Sequence, residues 1–125
     1  AMPRFWFGMG CLMVGLAVAA GAFGAHVLKQ RLSADLLEIF EIGARYQVYH
    51  GLGLVALALA MDRWGGAVYQ WTGGLWLAGI VLFSGSLYAL SLTGIRGLGA
   101  ITPLGGFCFL VGWGLLVWEA WRKLF

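Results

Sequence analysis

Charged residues cut this chain into long apolar blocks. Phe5 to Ala25 is uncharged, Tyr46 to Met61 is a shorter uncharged block, and Trp64 to Ile95 is uncharged throughout and longer than one span. A hydrocarbon core about 30 Å thick needs roughly 20 apolar residues per crossing helix, so four crossings are predicted. Helix one, about 5–27, is too long for the apolar region of a signal peptide and lacks a polar cleavage neighbourhood before His26-Val27-Leu28, so it is expected to be retained. Helix two, about 45–62, gains length by extending back through Arg45. Gly65-Gly66 and Gly73-Gly74 break the start of the third block, which puts helix three at about 71–93. Gly97-Leu98-Gly99 reads as a loop, and Thr102-Pro103, a threonine cap with proline in the first turn, opens helix four at about 102–121. Alternation of period two is absent, and a transmembrane barrel would need more strands than the chain could supply.

Between helices one and two, Lys29 to Arg45 carries a different pattern. Ser33 is placed to cap a helix and Asp35 sits in its first turn, where negative charge suits the dipole. Leu32, Leu36, Leu37 and Phe40 make an apolar stripe, with Asp35, Glu38 and Glu41 on another face. The expectation is a short amphipathic interfacial helix over about 33–45, folded back onto the bundle. The predicted fold class is therefore all-α: a polytopic membrane protein of four transmembrane helices in one bundle, with an interfacial helix between the first two.

Composition agrees with that pattern. Of 125 residues, 62% are hydrophobic and 10% charged, and the mean hydropathy is +0.88; soluble domains carry about 25% charged residues. A soluble globule, a disordered tail and a nucleic-acid-binding module all need polar groups that are missing, so no nucleic-acid partner is expected. The net charge of +3 comes from basic residues spread singly, without a polybasic run, and serves as a topology signal. Cys11 and Cys108 lie in apolar stretches and read as small buried hydrophobes, with no disulfide implied. Ala1-Met2-Pro3-Arg4 reads as a tag remnant ahead of a native methionine.

Glycine, at 21 residues, is more than twice as frequent as the usual share of about 7%. Helices in lipid attract one another through close backbone approach, which small residues permit. Gly15, Ala19 and Ala22 predict one smooth face on helix one, and Gly10, Ala17 and Gly24 a second ridge at heptad spacing. No strict GxxxG pair occurs in helix one, so dimerisation through that motif is unsupported, although a homo-oligomer or a membrane-protein partner is compatible with so small a bundle.

Four crossings place Arg4, Arg63, Arg122 and Lys123 on the N-terminal side and Lys29, Arg31, Arg45 and Arg96 on the other, a tie. Discounting Arg45, expected to be buried beside Glu41, tips the prediction to N-in and C-in. Trp6, Trp64, Trp71, Trp118 and Trp121 gather near the N-terminal side as an aromatic belt would.

Ionisable groups close to a span are functional candidates, because the membrane makes them costly. His26 ends helix one; Arg45, Tyr46, Gln47 and His50 open helix two in the same leaflet. Glu41 and Arg45 are spaced as a helical ion pair, and Tyr46 and His50 share that spacing. Ser84, Tyr88 and Ser91 line one face of helix three toward the same side. The predicted cluster is His26, Glu41, Arg45, Tyr46, Gln47, His50, Ser84 and Tyr88. Each also has a structural role open to it: an internal ion pair for Glu41 and Arg45, a backbone hydrogen bond for Ser84. Zinc wants three or four ligands and only His26, His50 and Glu41 are available, so no metal or other cofactor is expected. Ser84-Gly85-Ser86 is no nucleophile elbow, since it falls within a helix, and no Walker A, HExxH or CxxC sequence occurs, so no catalytic residue is assigned.

Four ordered segments resemble a known family: Gly21-Ala22-Phe23-Gly24-Ala25-His26, Tyr46-Gln47-Val48-Tyr49-His50, Phe83-Ser84-Gly85-Ser86-Leu87-Tyr88, and Gly99-Ala100-Ile101-Thr102-Pro103-Leu104-Gly105-Gly106. Together they are similar to the YgdD-like family of small bacterial inner-membrane proteins of unknown function, which has related eukaryotic transmembrane proteins. The resemblance implies four transmembrane helices and a plasma-membrane location, and brings no substrate or catalytic residue. The function expected is a non-enzymatic membrane module that binds a protein or lipid partner. Binding or translocation of a small solute, proton or lipid headgroup at the polar cluster is the alternative, and an intramembrane lipid-modifying enzyme using His50 or Tyr88 is the third reading.

Overall fold

The computed structural model describes residues 2–124; Ala1 of the expected tag remnant lies outside the described residues. Among these residues the chain forms four long helices: α1 Met2–His26, α2 Ala34–Trp64, α3 Ala67–Thr93 and α4 Thr102–Leu124. Short 3-10 turns at Leu28–Gln30 and Arg96–Ala100 precede α2 and α4. Three segments, Met2–Gln30, Ala67–Thr93 and Arg96–Leu124, are long and apolar enough to cross a bilayer, as a polytopic membrane protein requires.

Close approaches fix the register. Gly10 meets Gly51 and Val55, and Gly24 meets Phe40, so α1 and α2 run antiparallel. Gly43 faces Ser84 and Tyr88 while Gly53 faces Trp76, which makes α2 and α3 antiparallel as well. Gly79 against Phe109 and Gly112 against Trp76 do the same for α3 and α4. The result is an up-down-up-down bundle, whose short connections suit antiparallel neighbours. Its core joins Trp6, Leu54, Leu57, Trp76, Ile80 and Phe109. One turn of α3, Ile80–Ser84, is a wider π-turn, placed where the helix passes Gly43 of α2 and Gly105 of α4.

Several sequence expectations change. The interfacial helix over 33–45 is not a separate element: α2 runs unbroken from Ala34 to Trp64, capped by the Ser33 hydroxyl, which accepts from the Leu36 amide at 3.2 Å. Arg45 is an ordinary helix former and nothing at that position demands a bend. Helix three begins at Ala67, because Gly73 lies within the helix against the Trp6 ring and breaks nothing. Of the two small-residue ridges on α1, only Gly10, Ala17 and Gly24 are buried; Gly15, Ala19 and Ala22 face outward. Nor does Trp6 belong to an aromatic belt. It is buried, and its indole donates to Gln70 Oε1 at 2.8 Å.

Candidate functional site

α2 supplies the centre of the site. Gln47 and His50 are one turn apart on its inward face, both about 95% buried, at 5% and 4% exposure. Such groups are costly in an apolar interior unless their hydrogen bonds are made. The Gln47 amide donates from Nε2 to the Met13 carbonyl of α1 at 2.9 Å and accepts at Oε1 from the Tyr88 hydroxyl of α3 at 2.7 Å. One residue therefore ties three helices together.

His50 is satisfied just as fully. Its Nδ1 lies 3.0 Å from the Tyr46 carbonyl, and its Nε2 lies 3.0 Å from the indole nitrogen of Trp113 on α4. A carbonyl only accepts and an indole N–H only donates, so the two partners assign the neutral Nδ1–H tautomer. Phe109 stacks on the ring with centroids 3.6 Å apart and planes 8° from parallel. Ser84 reaches across to α2, donating to the Gly43 carbonyl at 2.6 Å, rather than bonding within its own helix. The Tyr88 ring packs against Phe40 and over Gly43, and the Ser86 hydroxyl meets that of Thr102 at 2.5 Å. Thr102 thus spends its hydroxyl between helices, not on capping α4.

Of the eight predicted residues, Tyr46, Gln47, His50, Ser84 and Tyr88 come together. His26, Glu41 and Arg45 do not. All three are exposed, and no Glu41–Arg45 ion pair forms within 4 Å. Spacing permitted that pair, but both side chains face outward, where water solvates each charge and holding them together gains little. At that end of the bundle Arg96 pairs instead with Asp35 at 2.6 Å, tying the loop before α4 to the first turn of α2. With Arg45 exposed, the reason for discounting it disappears, and the basic residues balance between the two sides. Among the described residues no three His, Cys, Asp or Glu side chains stand close enough to share a metal ion.

Sequence reasoning missed Trp113. Its position carried a signal nonetheless: an indole at the middle of a span, far from either interface, needs an acceptor inside the bundle. Beside it a shallow groove of about 520 Å³ runs between α2, α3 and α4, walled by Tyr46, Phe83, Pro103, Phe107 and Leu110, with the His50 ring at its floor.

Comparison with known proteins adds the family. The model of the family described as a protein of unknown function, DUF423, matches residues 20–106. The chain is 51% identical over 109 residues to the UPF0382 membrane protein SSP2132 of Staphylococcus saprophyticus, covering 87% of this chain and 90% of that protein. It is 46% identical over 117 residues to the UPF0382 membrane protein YwdK of Bacillus subtilis, covering 93% and 95%. With the UPF0382 inner membrane protein YgdD of Escherichia coli K12 it shares 43% identity over 105 residues, covering 84% and 80%. No solved structure matches. The chain therefore belongs to the UPF0382 (DUF423) family of small, multi-pass proteins of the bacterial inner membrane whose function is unknown.

Proposed function

We propose that this protein is a non-enzymatic membrane module: four crossings locked together from within, presenting their outer surface to a lipid or protein partner. The fourth crossing is α2. It must carry the chain from the end of the bundle where α1 finishes to the end where α3 begins, and its stretch from Tyr46 to Met61 holds no charge. At about 1.5 Å per residue the 31 residues of α2 span about 46 Å, more than a hydrocarbon core of about 30 Å. Its first turns, with Asp35, Glu38 and Glu41, therefore rise into the headgroup layer or beyond.

One observation carries the reading. The hydrogen-bonding groups of Gln47, His50, Ser84 and Tyr88 are taken up by one another or by neighbouring backbone and indole groups. A translocation path or a general acid–base pair needs a polar group free to meet substrate or water. Here His26 stands apart at a helix end, and the groove beside His50 is walled by apolar and aromatic side chains.

Proteoliposomes loaded with a pH-sensitive dye test this directly. Under an imposed pH gradient and with valinomycin present, vesicles carrying the protein should stay as proton-tight as protein-free vesicles. A leak that the protein introduces and His50→Ala abolishes would overturn the module reading in favour of proton translocation.

A further inference from the structure

Another buried ionisable group lies at the end of the bundle where α2 turns into α3 and α4 finishes. Glu119 is only 3% exposed. Its Oε1 accepts from Arg122 Nε at 2.6 Å. Its Oε2 accepts no hydrogen bond from a described residue and faces the Gly65-Gly66 turn, where a β-carbon on Gly66 would stand 3.5 Å away. Two cavities meet at this carboxylate. One, of about 540 Å³, is lined by Trp64, Tyr69 and Lys123; the other, of about 370 Å³, by Trp71, Trp118 and Arg122.

Depth and charge order say what fits. Trp64, Trp71 and Trp118 are each more than half exposed, and indoles so placed sit at the headgroup level of a bilayer. The site brings together two exposed cations, Arg122 and Lys123, exposed indoles, and a buried carboxylate that bonds Arg122 through one oxygen and has no partner among the described residues at the other. The Arg122 guanidinium lies 4.8 Å over the Trp118 ring and commits its Nε to Glu119, leaving the donors of its two terminal nitrogens, on a half-exposed side chain, for a further partner. A phosphate suits those donors and the Lys123 ammonium. The second carboxylate oxygen takes a hydrogen-bond donor, and a primary ammonium supplies one that also carries the complementary charge.

We propose that this site binds the headgroup of an aminophospholipid, its phosphate on Arg122 and Lys123 and its ammonium on Glu119. The proposal rests on the module reading above and names one of its partners. A choline headgroup carries the same charge without an N–H, and a glycerol headgroup has hydroxyl donors without the charge, so headgroup selectivity discriminates.

Native mass spectrometry of the detergent-purified protein, titrated with dioleoyl phosphatidylethanolamine, phosphatidylcholine and phosphatidylglycerol, provides the test. The ethanolamine lipid should be retained about tenfold better than the choline lipid, the lower end of what a hydrogen bond to a charged group is worth. Glu119→Gln should bring the two to parity, and Lys123→Ala should weaken retention of both while leaving Glu119 in place. Soluble phosphoethanolamine should fail to displace the lipid, since the acyl chains lie along the exposed indoles; full displacement would overturn a lipid ligand in favour of a small solute. Equal retention of ethanolamine and choline lipids by the unaltered protein, or a preference untouched by Glu119→Gln in a folded variant, would overturn the site. If Glu119→Gln does not fold, Lys123→Ala decides: unchanged retention overturns the proposal. Each of these failures would leave the closed bundle standing, whereas a His50-dependent proton leak would remove the module reading without bearing on headgroup selectivity.

Discussion

At the scale of single residues, the interior of this protein is governed by whether a buried polar atom has a partner. Trp113→Phe keeps an aromatic ring but removes the N–H together with the pyrrole half of the indole, leaving the Nε2 lone pair of His50 without its donor and a gap beside it. An unsatisfied buried acceptor costs about 1–3 kcal/mol, so thermal unfolding in detergent should shift down by several degrees. Thr72→Val should act in the opposite sense. Thr72 is fully buried and its hydroxyl has no partner among the described residues, so exchanging it for a methyl of similar size should stabilise by about 1 kcal/mol. If both variants moved in the same direction, satisfaction of polar groups would not be what orders this core. Tyr46, Gln47, His50, Ser84 and Tyr88 were legible in sequence because costly residues in apolar blocks stand out. Their partners were not, because Met13 and Gly43 contribute only carbonyls that every residue has. Glu41 and Arg45 misled for a related reason: spacing says that two side chains on a helix are neighbours and leaves open whether that face is wet.

Between elements, contact is made backbone to backbone. Lipid gives little hydrophobic drive to join helices, so the closeness that glycine permits matters more than in a water-soluble core. A β-carbon at Gly10 would lie 2.7 Å from the Gly51 carbonyl oxygen and 2.9 Å from the Val55 nitrogen, atoms that move only if α1 and α2 part. At Gly15 the same carbon would meet nothing within 4 Å. Overpacking costs about 1–3 kcal/mol, while exchanging glycine for alanine in a helix gains up to about 1 kcal/mol. Gly10→Ala should therefore destabilise, and Gly15→Ala should be neutral or slightly stabilising, when their unfolding midpoints are measured side by side. Small-residue spacing predicted two ridges on α1 and could not rank them, because Gly15, Ala19 and Ala22 look as smooth in sequence as the ridge that packs. Helix boundaries followed similar logic. Gly94, at φ +75°, ends α3 where only glycine is at ease, whereas Gly73 and Gly74 sit inside the helix and read in sequence as a break.

The whole molecule is uneven from end to end. Apart from Trp113, which is partly exposed at mid-span where its indole bonds His50, the exposed indoles Trp64, Trp71, Trp118 and Trp121 lie at the end holding the α2–α3 turn and the finish of α4. The opposite end holds the acidic first turns of α2 and the exposed Arg96–Asp35 bridge, which is worth little on its own. The apolar blocks made this much visible at once, since indoles and charges mark span ends in sequence as they do in space; sidedness stayed hidden because basic residues are shared equally between the two ends. A mechanical consequence follows from that lopsided distribution of tryptophan. Indoles resist leaving their preferred layer, so the protein is moored at one rim and free to ride up or down at the other. Reconstituted in lipids of increasing chain length, its tryptophan emission should hold a nearly constant wavelength, while a dye on a cysteine placed at Glu38 should report progressively deeper immersion.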